Sequence, residues 1–114
     1  MALIYKICAQ ASWQAAEHEG LYRGSAIDTR DGFIHFSTAS QLAETARRHF
    51  AGQSDLMLVA ADSDALGPAL KWEPSRGGEL FPHLYAALPC AAVRWARQLP
   101  DESGGRRTLP ELKP

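Results

Sequence analysis

The sequence predicts an α+β fold with a small, mainly antiparallel sheet and two or three helices. Three observations carry this. Apolar runs come in the order strand, helix, strand, helix and then mostly strands; the later runs are separated by turn residues; and 114 residues fit one compact domain. The domain is expected to span residues 1–100, with 101–114 a flexible C-terminal tail.

Each element has a local reason. Leu3 to Cys8 is a run of strand formers and gives a first strand. Ser12 is the expected cap of the helix that follows, with Trp13 and Ala16 on its apolar side and Gly20 at its end. Leu21 to Gly32, rich in Gly, Ser, Asp and Thr, is expected to be an irregular loop. Phe33 to Ser37 gives a second strand whose alternation sends Ile34 and Phe36 to one face, His35 and Ser37 to the other. Thr38 and Gln41 have capping-box spacing, and Ala39, Leu42, Ala43, Ala46 and Phe50 repeat at helical period. Leu56 to Ala61 is nearly continuous in apolar residues, as expected of a central strand. Asp62 to Leu66 reads as a capped turn. Leu70 to Glu73 is a short strand stopped by Pro74, and Arg76-Gly77-Gly78-Glu79 turns the chain into Phe81 to Tyr85. Leu88 to Leu99 is assigned as strand from the alternation of Ala91, Val93 and Trp95.

Composition narrows function. Hydrophobic residues at 46% and charged residues at 22% exclude a disordered chain. A net charge of -1 provides no positive field for general nucleic-acid binding. Cys8 and Cys90 lack CxxC spacing and are expected to be core thiols. No segment has the ~18 apolar residues of a membrane span, and the first residues lack a basic leader, so a cytoplasmic protein is expected.

Groups suited to acid–base or hydrogen-bond work gather in two stretches, Arg30 to Thr38 and Trp72 to Tyr85. His35 and Ser37 share a strand face, and a helix opening at Thr38 would add backbone N–H donors for an anion. Glu73, at a strand end among apolar neighbours, is the candidate general base or ribose-hydroxyl acceptor, its pKa expected to be raised. His83 sits between Pro82 and Leu84-Tyr85. Structural readings stand beside these: a histidine bonded within the core, and Glu73 paired with Arg76 at the surface. HxH, HxxxH and HExxH pairings are absent, so no metal site is assigned. Gly77-Gly78 lacks a GK[ST] ending, and no nucleophile-elbow pattern surrounds Ser37.

Tyr5-Lys6-Ile7, Trp13, Gly20-Leu21-Tyr22, Asp31-Gly32-Phe33-Ile34-His35-Phe36-Ser37-Thr38 with Gln41, Trp72-Glu73 and Phe81-Pro82-His83-Leu84-Tyr85 together resemble the domain of unknown function 952 family. That family is remotely similar to the ADP-ribosyltransferase superfamily, which implies a split sheet gripping NAD or an ADP-ribosyl group. Tyr5-Lys6-Ile7 stands where that superfamily has a His or Arg. The resemblance implies that His35 and Ser37 with Thr38 match a nucleotide-contacting strand-to-helix motif and that Glu73 or His83 occupies its later polar position. The residues are read as a cleft with His35, Glu73 and His83 as catalytic candidates and Tyr22, Asp31, Ser37, Thr38, Arg76 and Tyr85 as contacts to an NAD-like cofactor or substrate. The expected activity is ADP-ribosyl or phosphoribosyl transfer by a monomer or weak homodimer. The alternative is a noncatalytic interaction module with structural histidines and an anchor patch of Trp72, Phe81 and Tyr85.

Overall fold

The computed structural model describes residues 2–114. Its fold is α+β, with three small antiparallel sheets and three α-helices among the described residues. The elements are β1 (Leu3–Ala9), α1 (Gln10–Glu19), β2 (Leu21–Tyr22), α2 (Ala26–Asp31), β3 (Ile34–His35), α3 (Leu42–His49), β4 (Leu56–Asp62), β5 (Leu70–Pro74), β6 (Leu80–Leu84), β7 (Leu88–Pro89) and β8 (Val93–Leu99).

β4 is the centre of the first sheet, in the order β1-β4-β8. Its apolar run is explained by burial on both faces: Val59 and Ala61 join a cluster with Ile4, Trp13, Ala16 and Phe36, while Leu56, Leu58 and Ala60 join one with Tyr5, Ile7, Leu42 and Ala46. A strand covered on two sides has no position where water tolerates a polar group. The third sheet, β3-β6-β5, sets Ile34 opposite Leu84 and His35 opposite His83. It meets the first through one bridge, in which the backbones of Tyr5 and Ser37 exchange N–H···O bonds of 2.8 Å. Pairing stops after that bridge, so the sheet is split at β1 and β3.

Several local expectations are corrected. The stretch read as a loop contains β2 and α2, the latter opened by a capping box in which Asp28 N–H donates to Ser25 and Ser25 N–H donates to Asp28. Six residues are too few to display a period, so only Ser25-x-x-Asp28 announced the helix. Ser12 is not a cap; α1 starts earlier, after Ala9, and receives no side-chain cap bond. α3 is Leu42–His49, one turn later than the expected start at Thr38, although the Gln41 side chain does accept from the Thr38 N–H at 3.0 Å, one half of the expected capping box. A 3-10 turn over Cys90–Ala92 interrupts the expected final strand. Residues 100–114 hold no helix or named strand, and Leu109 and Leu112 lie against the second cluster.

α2 is held between two glycines with left-handed backbone, Gly24 at φ 101° and Gly32 at φ 86°. A Cβ on Gly24 would stand 2.8 Å from Asp28 Cβ. Gly24→Ala is therefore expected to lower stability by about 1–2 kcal/mol or more, through left-handed strain plus that clash. Urea unfolding measures it; an unchanged midpoint would contradict the tight seating of Asp28.

Candidate functional site

The site grows from one buried carboxylate. Lys6 lies in β1 among apolar neighbours and Asp28 in α2, only 8% and 3% exposed. Two unpaired charges at that depth would be prohibitively desolvated, so they must meet. Lys6 Nζ lies 3.0 Å from Asp28 Oδ1 and 2.8 Å from Oδ2. Ser25 N–H adds a bond of 2.8 Å to Oδ2, and His35 N–H one of 3.1 Å to Oδ1. The ring of His35 closes the set, with Nδ1 at 2.7 Å from Oδ1. Burial alone would push the Asp28 carboxyl up; the His35 bond, the Lys6 charge and the Ser25 N–H outweigh it and hold the group well below the carboxylate range.

His35 is thus oriented by Asp28 at Nδ1, and its Nε2 meets Asp31 Oδ2 at 3.0 Å. Across the β3–β6 pair stands His83, with ring centroids 5.5 Å apart. His83 is oriented in the same manner: its Nδ1 lies 2.9 Å from Glu73 Oε1. Phe33 packs against both imidazoles, at 4.5 Å from His35 and 4.1 Å from His83. Two histidines are therefore each backed by a carboxylate, meet edge to face and are flanked by one aromatic ring.

Beside them opens a cavity of about 450 Å³. Its polar wall holds Lys6, Asp28, Asp31, His35, Arg76 and His83, and Tyr5, Ile7, Phe36, Leu42, Phe50 and Phe81 form the apolar wall. Arg76 is fixed by Glu44 at 3.0 Å and lies over the Phe81 ring at 4.9 Å. Ser37 lines the floor, its hydroxyl paired with Thr45 at 2.9 Å. His49, at the end of α3, reaches the cavity; burial and then the Arg76 charge push its pKa down.

The structure brings His35, His83, Asp31, Ser37 and Arg76 to one cavity and leaves four other expected site residues outside its lining. Glu73 stands behind His83. The Tyr85 hydroxyl at 2.7 Å and the His83 ring lower its pKa, opposite to the expected direction, and its carboxylate is engaged by those two groups. Arg76 pairs with Glu44, and the expected surface pair with Glu73 is replaced. Tyr85 binds Glu73 and packs on Phe33 at 5.2 Å. Tyr22 is a core residue whose hydroxyl is buried beside the Cys8 thiol. The Thr38 N–H is taken by the Gln41 side chain, and Thr38 lies outside the cavity lining. Phe81 is buried and belongs to the cavity, which separates it from exposed Trp72 and Tyr85. Sequence reasoning missed Lys6, Asp28, Phe33 and His49; a lysine inside an apolar strand and the Ser25-x-x-Asp28 spacing were the available signals. Among the described residues no group of three His, Cys, Asp or Glu is arranged to hold a metal, and no helix is long and apolar enough to cross a membrane.

Fold and site together define a small α+β protein whose split sheet carries a cavity faced by two carboxylate-backed histidines. The chain belongs to the family described as "Protein of unknown function (DUF952)", which matches residues 7–96. It is similar to the crystal structure of protein CC0527 from Caulobacter crescentus, at 46% identity and TM-score 0.89 over 93% of each chain. A double mutant of CC0527 gives 45% and 0.88 over 93% of each chain. The CC0527 solution structure gives 48% and 0.81, over 92% of this chain and 90% of that one. Comparison with curated proteins gives no match.

Two predictions follow the network. Lys6→Met leaves Asp28 buried with one cation fewer and is expected to cost about 3–5 kcal/mol in urea unfolding at neutral pH; a loss below about 1 kcal/mol, the worth of an exposed pair, would contradict burial of the interaction. Because the folded Asp28 carboxyl lies below its unfolded value of 3.8, its stabilisation is present above that value and is lost as pH falls through the lower folded one. Unfolding midpoints should drop with acid more steeply in the wild type than in Asp28→Asn, and equal acid slopes would refute the linkage.

Proposed function

We propose that the cavity binds a nucleotide-like ligand of the NAD or ADP-ribose type and that His35 and His83 touch its reacting sugar or phosphate. The observation that carries this is the facing pair of imidazoles, each fixed through Nδ1 by its own carboxylate at 2.7 Å and 2.9 Å. Fixed imidazoles serve proton transfer and charge stabilisation, because their geometry is set before the ligand arrives. The wall chemistry supports the ligand class: Phe81, Phe36 and Leu42 suit a flat base, and Arg76 suits phosphate oxygens. Among the described residues, no protein group hydrogen-bonds Nε2 of His83, which leaves that atom for substrate.

The reaction proposed is ADP-ribosyl or phosphoribosyl transfer. With NAD as donor, the acceptor oxygen or nitrogen bonds to the ribose C1′ as the bond to nicotinamide breaks. The bonding pair returns to the pyridine nitrogen, and the acceptor's proton passes to His83 Nε2. Glu73 keeps that nitrogen's partner, Nδ1, protonated and pointing away from the substrate.

The test is calorimetric titration with NAD and ADP-ribose, with amide shifts followed by NMR. Shifts should centre on His35, Phe81 and His83, and Arg76→Ala should weaken binding about tenfold, or about 1.4 kcal/mol. Nicotinamide release should fall about 10²- to 10⁴-fold in His83→Ala. Absence of shifts at millimolar ligand would overturn the reading.

A further inference from the structure

On the nucleotide reading of the cavity, the ligand's charged group needs a cationic or N–H donor site. His35 commits Nδ1 to Asp28, so Nε2 is the atom it has left to offer, and Asp31 Oδ2 already sits there at 3.0 Å. The same carboxylate takes Arg30, with Nε at 2.9 Å from Oδ1 and Nη2 at 3.4 Å from Oδ2. An imidazole and a guanidinium converging on two oxygens is the donor set that a phosphate or carboxylate group selects.

Three features distinguish this contact from the structural one on the ring's other side. The Asp28 side chain is 2% exposed and bonded by four donors, whereas the Asp31 side chain is 30% exposed and Arg30 71%. Asp31 is the last residue of α2, the end at which the helix dipole disfavours negative charge. It is followed by Gly32, whose left-handed backbone caps the helix, so no further turn of α2 packs over the Asp31 carboxylate.

We propose that His35 Nε2 and Arg30 form the oxyanion subsite of the cavity, and that Asp31 holds this subsite until a phosphate or carboxylate of the ligand replaces it. Arg76, lining the same cavity, adds positive potential for an incoming anion. A site blocked by its own side chain binds with an affinity reduced by the fraction of molecules in which the block is away. Removing Asp31 should therefore tighten anion binding with no new contact. This proposal deepens the nucleotide reading and can fail separately from it.

The experiment titrates wild type, Asp31→Ala, Asp31→Asn and the remote charge control Glu17→Gln with inorganic phosphate and with ADP-ribose, recording affinity and the ¹⁵N shifts of the His35 ring. Melting curves check that the exposed substitutions leave the fold intact. Asp31→Ala should tighten both probes about tenfold, as for a subsite open in about a tenth of molecules, with the response centred on His35 Nε2. Asp31→Asn should move in the same direction by less. An unchanged affinity, an equal gain in Glu17→Gln, or a gain without a response at His35 Nε2 would overturn the subsite. If ADP-ribose still binds beside Phe81 and His83 in that case, the nucleotide reading survives alone. If Asp31→Ala captures phosphate at His35 while no variant takes ADP-ribose, the subsite stands and the nucleotide reading falls; no binding by any variant ends both.

Discussion

The buried carboxylate of Asp28 is the constraint on which the site depends. Removing a carboxylate from water costs several kcal/mol even after relaxation, so its position is tolerable only with nearly every lone pair engaged. Lys6 from β1, Ser25 from the start of α2, and both the backbone and ring of His35 from β3 provide those partners. One charge thus ties together three elements that share no continuous ladder. The Tyr5–Ser37 bridge brings β1 and β3 together, but a single bridge fixes no side-chain direction. The Asp28 bonds do, and they leave His35 with one nitrogen to present.

His83 repeats the arrangement with different surroundings. Its carboxylate, Glu73, is half-buried on an edge strand and takes a second bond from Tyr85, while the ring itself is buried against Phe33. The asymmetry has a chemical consequence. His35 is locked by a group that solvent scarcely reaches and is paired at Nε2 with Asp31; His83 is aimed by a more accessible group and its Nε2 has no protein hydrogen-bond partner among the described residues. The first suits holding charge in place, the second suits moving a proton. Apolar residues on the facing wall lower the local dielectric and strengthen both effects.

Much of this was legible from residue order. Alternation in Phe33 to Ser37 put His35 and Ser37 on one face, and the apolar run of β4 announced a strand covered on both sides. The turn at Arg76 to Glu79 brought His83 back toward β3. What order did not disclose was side-chain direction across elements. Glu73 has the residue type of a site carboxylate, yet β5 lies beyond β6, so it reaches the cavity's histidine and not the cavity. Tyr22 and Thr38 adjoin site residues in sequence, but one turns into the core and the other gives its N–H to Gln41. Lys6 and Asp28 escaped notice because each looks anomalous alone and makes sense only as a pair separated by 22 residues.

A crystal structure of the protein soaked with ADP-ribose examines the central claim most directly. The account predicts the pyrophosphate within hydrogen-bond distance of the His35 ring, the adenine against Phe81 and Leu42, and the Asp28–His35 bond unbroken. A nucleotide seated away from both imidazoles, or a His35 ring turned from Asp28 to receive it, would contradict the claim that this buried carboxylate aims the site.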